Sequence, residues 1–387
     1  MHINCACAGS TGKIIGDIAN HAADAGYDTL LCAPCAPGTN ENIRYFRTSL
    51  PREQGIYRRL NYLYGFQYGF APLSTMRIKK VIKQEKPDLI HIHCVNGFMV
   101  NVYSLLRWIR QEKIPAVITN HAEFFYTGSC PHAYSCEKWM TGCGNCPQQF
   151  VATGGKLRDT SGKAWQRMKQ AMAGLEKTVM VSVSPWVADR AKRSPLTAHL
   201  PQTVVLNGLN SDIFTTCDSA RLRKQYGLPV DGKIIFHPTA HFSDSKEDSK
   251  GGAYMIELAR RLESRNVTVI VAGKYTQGLV VPDNMILLGH IADQAQLAEY
   301  YALADVTVIS SKRETFSMPV AESLCCGTPV AGFMAGGPES IAMDDYCSFV
   351  PHGDMDALTA AAEALLNAKH NKKEISDLAK QKHKHNA

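Results

Sequence analysis

The sequence predicts an α/β protein made of two doubly wound, Rossmann-like domains. Two observations carry that prediction. Short apolar runs alternate with helical patterns from end to end, which is the mark of parallel sheets wound with helices. The scheme also runs twice, and the polar, turn-rich stretch NGLNSDIFTTCDSARLRKQYGLPVDG between the two rounds reads as a linker. The boundary therefore falls near residue 210, giving domains 1–210 and 211–387. A chain of 387 residues is too long for one typical core and comfortable for two.

In the first domain the candidate strands are HINCAC, DTLLCA, DLIHIHC, AVITNH, VMVSVS and TVVLNG. Between the first two, Ile14, Ile15, Ile18, Ala19, Ala22 and Ala23 keep the spacing of a buried helical stripe, which Gly26 ends. The uncharged run at 89–106 carries polar residues and a Gly, so a strand, a turn and a helix describe it better than a membrane span. In the second domain the strands are KIIFHPTA, VTVIVAG, MILLGHI, DVTVISS and TPVAGF, with helices near 251–264, 293–303, 319–326 and 355–367. The tail KHNKKEISDLAKQKHKHNA is polar and basic and is expected to fray. Two such domains place ligands at the carboxyl ends of their strands, in a cleft between them.

Composition narrows the function classes. Hydrophobic residues make up 45% and charged residues 20%, close to globular averages, so no long disordered region is expected. Thirteen scattered cysteines and an opening without a charged, apolar leader suggest a reduced, cytosolic chain. Residues 1–200 hold 24 Lys and Arg against 13 Asp and Glu, so the formal charge of +7 is concentrated there. Eight of those basic residues lie within 52–86, interleaved with Tyr57, Tyr62, Tyr64, Phe66, Tyr68 and Phe70. That mixture suits an anionic membrane surface or a lipid phosphate, against the alternative of a solvated helix with its aromatics in the core. Nothing in the pattern points to nucleic acid.

Three segments carry chemistry. The loop AGSTGKI at 8–14 fits neither the nucleotide P-loop nor the dinucleotide fingerprint, and remains a Gly-rich turn around Gly12 at a helix N-terminus, open to an anion or a sugar. The stretch SSKRETFSMPVAESLCCGTPVAG at 310–332 runs from a strand end through Glu314 to a helix opened by Pro319, with Glu322 expected in its first turn. On one continuous helix, carboxylates eight apart would diverge by about 80°. The break at Pro319 lets both line one pocket, and the backbone N–H groups of Phe316, Ser317 and Met318 would face a diphosphate. A surface Glu pair beside a helix cap is the plain alternative.

The third segment is CPHAYSCEKWMTGCGNCP, in which Cys130, Cys136, Cys143 and Cys146 are spaced C-x5-C-x6-C-x2-C. Four thiolates would close a tetrahedral zinc shell, two disulfides would serve in an oxidising compartment, and free thiols are the third option. The context of a thioredoxin motif is missing. The loop 122–147 shows no periodic element and needs something to order it. His91 and His93 alternate with Ile90 and Ile92 and so share one face, as cleft lining or satisfied core residues.

Glu314, seven residues, Glu322, the turn Gly327 to Val330 and then Gly336, Gly337, Pro338 and Glu339 resemble the donor-sugar motif of the retaining glycosyltransferases of family 4, which have the GT-B fold. Gly9 to Gly12, His121 at the end of the AVITNH strand, Asn207 with Gly208, and Lys250 with Gly251 stand in the family's order. The resemblance implies an enzyme, with an acceptor-side first domain and a donor-binding second domain. It implies that Lys250 neutralises the donor diphosphate, that Glu314 and the 316–318 backbone hold the sugar and phosphate, that Glu322 bonds the ribose, and that His121 sits over the reacting carbon or the sugar 6-hydroxyl. No catalytic metal is implied. His241 stands where the family usually has an Arg, with Lys246 as a substitute cation, and Ser317 stands where Gly is common. The family often adds a helix beyond residue 367 that returns to the first domain, and this chain is expected to lack it.

A Cys-rich insertion after the strand-end histidine also resembles family members that build extracellular polysaccharide, which makes the cysteine loop an acceptor-side feature. The expectation is a nucleotide-sugar-dependent transferase acting on a glycan or lipid-linked acceptor, at the cytoplasmic face of a membrane. Another GT-B nucleotide-sugar enzyme, an epimerase or hydrolase, and a catalytically impaired binding subunit are the alternatives.

Overall fold

The computed structural model describes every residue except 8, 35–39, 51, 230 and 385–387, and of Lys384 the backbone alone. The first position of the Gly-rich stretch and the last three of the tail thus lie outside the described residues. The chain forms two compact units, Met1–Val205 and Leu206–Ala387.

The first unit is a seven-stranded parallel sheet. Its strands are β1 (His2–Ile3), β2 (Leu30–Ala33), β3 (Arg44–Arg47), β4 (Ile90–Ile92), β5 (Ala116–Asn120), β6 (Thr178–Ser182) and β7 (Gln202–Val204), in the order β3-β2-β1-β4-β5-β6-β7. The helices are α1 (Gly9–Asp24), α2 (Glu53–Tyr64), α3 (Pro72–Glu85), α4 (Val102–Gln111), α5 (Phe124–Thr127), α6 (Gln149–Thr153), α7 (Ser161–Met172) and α8 (Pro185–Arg193). β3 escaped the sequence reading because RYFR is a half-exposed edge strand with a charge at each end. The apolar stripe on α1 is narrower than its spacing suggests. Ile15 and Ala19 pack against Leu31, Ala33 and Ile43, while Ile18 stays exposed. The run 89–106 is a strand, a turn and the start of α4, and no helix among the described residues is long and apolar enough to cross a membrane.

The second unit is a six-stranded parallel sheet. Its strands are β8 (Lys233–Phe242), β9 (Val267–Tyr275), β10 (Met285–Gly289), β11 (Val306–Ile309), β12 (Val330–Phe333) and β13 (Cys347–Val350), in the order β10-β9-β8-β11-β12-β13. The helices are α9 (Ala220–Gln225), α10 (Gly252–Leu262), α11 (Gln294–Leu303), α12 (Met318–Cys325), α13 (Gly337–Ile341), α14 (Met355–Asn367) and α15 (Lys372–Lys384). Val269, Val271, Val306, Val308, Ala331 and Phe333 form a core with Met255, Leu258 and Leu262 of α10 and with Leu358 and Ala362 of α14.

Two expectations fail here. The segment read as a linker contains α9, which buries Leu222 and belongs to the second unit. The tail expected to fray is the helix α15, packed on α12. Ile375 and Ala379 are buried, the Ser376 hydroxyl donates to the Cys325 carbonyl at 2.5 Å, and the Lys372 ammonium donates to the Ala304 carbonyl at 2.7 Å. A helix with so few apolar residues forms because its neighbour supplies the burial. In both sheets the strand order reverses beside the first strand of the unit, between β1 and β4 and between β8 and β11. Ligands of such sheets bind at that switch point, at the carboxyl ends of the strands.

Candidate active site

Lys250 and Glu314 come from the loops that follow β8 and β11, the two strands that flank the switch point of the second unit. The Ser310 hydroxyl donates to the Lys250 carbonyl at 2.9 Å, and the Lys312 N–H donates to the Ser249 carbonyl at 2.8 Å. Gly251 has φ +75°, and a Cβ there would lie 2.2 Å from the Ser310 oxygen, so only glycine lets the two loops meet. With the backbones joined, the Lys250 ammonium reaches the Glu314 carboxylate at 2.6 Å, both side chains being half-buried.

The glycine pair after β12 completes the arrangement. The Glu314 N–H donates to the Ala335 carbonyl at 3.1 Å, and the Gly337 N–H donates to the Glu314 carbonyl at 2.9 Å, a one-residue parallel bridge. A Cβ on Gly337 would sit 2.4 Å from the Thr315 carbonyl carbon, so a side chain there would push the loop apart. Glu339 holds the other side, accepting from the N–H groups of Ala335 at 3.0 Å and Gly336 at 2.7 Å. The motif halves, more than twenty residues apart in sequence, are therefore one hydrogen-bonded unit.

Phe316 is buried, and Ser317 precedes α12 at φ +78°, a conformation that favours glycine. That backbone angle explains why glycine suits the position. α12 begins at Met318, four residues after Glu314; Pro319, its second residue, has no N–H, and the Val320 N–H donates to the Ser317 carbonyl at 3.1 Å. Glu322 is the fifth residue of α12, beyond the opening turn where the sequence reading put it. Its carboxylate accepts from the Tyr301 hydroxyl at 2.7 Å. Tyr301 lies on α11, and no local signal marks it as a partner. His241 is exposed on β8, which runs past the predicted strand end to Phe242 and pairs His241 with Lys274. Lys246 is exposed in the loop that follows.

In the first unit, Gly12 is inside α1 and not in a turn before it, because α1 already starts at Gly9. A Cβ on Gly12 would approach the Cys7 carbonyl carbon to 2.7 Å, which gives this glycine a packing reason. His121 follows β5, its Nε2 3.1 Å from His93 Nδ1, and burial pushes its pKa down to about 4. His121 is thus neutral near pH 7.

The cysteine loop has more order than its sequence suggests. It contains α5 and a 3₁₀ turn at Lys138–Met140. Glu123, fully buried, accepts from Arg190 at 2.9 and 3.1 Å, and the Arg190 guanidinium lies 4.8 Å from the Trp139 ring centre. The Trp165 indole N–H donates to the Trp139 carbonyl at 2.8 Å. Cys130, Cys136, Cys143 and Cys146 all line one cavity as free thiols. Burial, with the other thiols adding to it, pushes Cys130 and Cys143 up to about 12, so each holds its proton in the absence of a cation.

The basic, aromatic segment divides between the two readings weighed for it. Tyr57 and Tyr68 are buried, while Tyr62 and Tyr64 of α2 are exposed together with Ile56 and Leu63 and with Arg58 and Arg59. On α3, Leu73, Met76 and Lys80 are exposed at i, i+3 and i+7.

Comparison with known proteins agrees with this arrangement. Residues 11–212 match the model of Glycosyltransferase Family 4, and residues 219–382 match Glycosyl transferases group 1. The D-inositol 3-phosphate glycosyltransferase of Thermobispora bispora is 32% identical over 150 residues, 35% of each chain. The one from Mycobacteroides abscessus is 30% identical over 178 residues, 42% of this chain and 39% of the relative. The aligned part thus spans about two fifths of these relatives or less. Among solved structures, sucrose-phosphate synthase from Thermosynechococcus elongatus superposes with TM-score 0.66 at 18% identity over 99% of this chain and 92% of the other. HepE of Anabaena, solved with UDP, gives TM-score 0.65 at 15% identity over 99% and 94%.

Proposed function

The chain belongs to glycosyltransferase family 4 and has the GT-B fold, and from that premise we propose that it transfers a sugar, with retention of configuration, from a nucleotide diphosphate donor to a glycan or lipid-linked acceptor in polysaccharide biosynthesis. The observation that carries this reading is the Lys250–Glu314 pair at 2.6 Å, fixed beside the start of α12. A donor diphosphate set there gains an ammonium and the positive end of a helix, which together stabilise the charge that grows as the sugar leaves. Glu314 holds the ammonium in place and accepts from the sugar hydroxyls, and Glu322, steadied by Tyr301, bonds the ribose. The N–H groups of Phe316, Ser317 and Met318 meet the phosphates. His121 acts over the reacting carbon as a neutral imidazole.

In this mechanism the attacking hydroxyl approaches the face that the diphosphate leaves. The leaving phosphate oxygen takes the hydroxyl proton, so no separate base is needed and configuration is kept. HepE, a neighbour in fold, has been solved with UDP-glucose, which supports a nucleotide sugar as donor. The exposed apolar and arginine side chains of α2 and α3 support peripheral contact with an anionic membrane, where a lipid-linked acceptor would lie. The four cysteines would hold a structural zinc that braces the acceptor-side loop.

A thermal-shift screen against nucleotide sugars, followed by NMR of the product made with the best of them, tests the reading. A bound donor at 100 times its Kd stabilises the fold by about 2.7 kcal/mol. The expected product keeps the anomeric configuration of the donor. Inversion, or an epimerised sugar without transfer, would replace the proposal with a different nucleotide-sugar activity.

A further inference from the structure

β1 lies inside the sheet of the first unit, between β2 and β4, yet it is only two residues long. The main-chain bonds that join it to β4 include those from the His91 N–H to the Met1 carbonyl at 2.8 Å and from the His93 N–H to the Ile3 carbonyl at 3.0 Å. Inner strands of a parallel sheet are covered on both faces and are normally apolar throughout. Here one face carries three imidazoles instead. His2 pairs in register with His91, and His93 follows His91 by two residues, so all three rings share that face. His2 and His93 are buried and His91 is half-buried. The transfer step uses none of them.

The rings are arranged as metal ligands are. One ring nitrogen from each residue lies within 4.8 Å of the other two, and His2 Nδ1 is 3.1 Å from His93 Nε2. Zn–N bonds of about 2.0–2.1 Å set the donors of a tetrahedral shell about 3.3 Å apart, so the His2–His93 pair already stands near that edge length. Bringing all three donors into such a shell closes the widest separation by at most about 1.5 Å. The outer nitrogens are held as well. His91 Nε2 lies 2.7 Å from the Thr119 hydroxyl, and His93 Nδ1 lies 3.1 Å from His121 Nε2. Metal-bound imidazoles have their second nitrogen anchored in this way, which fixes the ring and its tautomer. His93 is left with Nε2, the atom that meets His2, for a cation.

We infer that His2, His91 and His93 bind one divalent transition-metal ion of the zinc class, which clamps β1 to β4. Imidazole nitrogen suits such ions, and three imidazoles leave a fourth position for water. The trio itself is neutral and offsets none of the buried charge, but a bound water that ionises near pH 7 removes half of it. Such a site is weaker than one of four thiolates. It fills when metal is supplied and is emptied by purification, whereas the zinc proposed for the cysteine loop stays. The inference stands apart from the transfer reading. Its metal-free alternative is a hydrogen bond between His2 and His93, with His91 stacked on His93 at 3.9 Å between ring centres.

Cobalt(II) titrated into an untagged, full-length Cys130→Ser/Cys143→Ser variant tests the inference, because Co²⁺ occupies zinc sites and its visible spectrum reports its ligands. The expected result is one Co²⁺ per chain with d–d bands, no thiolate charge-transfer band and a raised melting temperature. His2→Gln, His91→Gln and His93→Gln, made singly, are each expected to weaken binding more than about tenfold, since even outer-sphere changes cost about 10–100-fold. His21→Gln, exposed on α1, is expected to leave binding unchanged. Absent bands, bands with thiolate charge transfer, or bands that survive the three substitutions overturn the inference. Where a Gln variant fails to fold, long-range ¹H–¹⁵N spectra of the variant with its rings intact decide. One equivalent of Zn²⁺ is expected to shift the ring nitrogens of His2, His91 and His93 together. Rings that stay unshifted and keep the His2–His93 hydrogen bond establish the metal-free pair and overturn the clamp.

Discussion

At the scale of residues, the proposed donor site is decided by a few close approaches of backbone. Gly251 and Gly337 each admit a neighbouring loop where a Cβ would stand under 2.5 Å from main-chain atoms, and those approaches bring Lys250 to Glu314. Removing either charge should be costly because its partner stays half-buried and the diphosphate loses a preorganised contact. Lys250→Ala and Glu314→Ala are each expected to reduce kcat/KM for sugar transfer on the order of 10²-fold, measured by release of the nucleoside diphosphate. Losses within threefold for both would sink the assignment of the motif. Glu322 is expected to behave differently, since Tyr301 already holds its carboxylate. Its removal should act on KM for the donor more than on kcat, as contacts made equally in ground and transition state do.

At the scale of elements, the cysteine loop and the α2–α3 surface each make a separable claim. The loop is held from one side by Glu123, Arg190 and Trp139, so it should stay folded without metal, and a metal should tighten rather than create it. Purified, reduced protein is expected to carry close to one zinc per chain by atomic emission, and chelation should lower the melting temperature without unfolding the chain at 25 °C. Absence of zinc, with four thiols titrating freely, would leave the cavity as a cluster of protonated cysteines. For α2 and α3, cosedimentation with vesicles containing anionic lipid is expected to fall as salt rises, because each Lys or Arg near the surface contributes about 1 kcal/mol that salt screens. Binding indifferent to lipid charge and salt would remove the electrostatic part of that contact.

At the scale of the whole molecule, acid stability follows from the histidines that the fold keeps neutral. His2, His121, His237 and His383 all have burial as the first cause of a pKa pushed down to about 4, against about 6.5 in an unfolded chain. The unfolded state thus takes up protons first as pH falls. The stability that these rings contribute is fully present above about 6.5 and is lost between 6.5 and 4, by up to about 1.4 kcal/mol per pH unit for each ring. Urea midpoints are expected to fall steeply across that window, before most carboxylates titrate. A flat profile from pH 6.5 to 5 would show that the rings are not buried as described.

The apolar periodicity of the chain determined by itself the two wound sheets and most of their strands and helices, while the motif spacing resembled that of a known family and so grouped Glu314, Glu322 and Lys250. These features are legible because they depend on neighbours within a few residues or on a fixed spacing. What only the tertiary structure decided depends on who lies alongside. β3 and α15 take their burial from partners, which is why a charged edge strand and a polar tail gave no signal. Tyr301 meets Glu322 across two helices, and Arg190 meets Glu123 across 67 residues. His91 and His93 were visible as an alternating pair, but the row that joins His2 to His121 exists only because β1, β4 and β5 are neighbours in the sheet, an order that no linear spacing encodes.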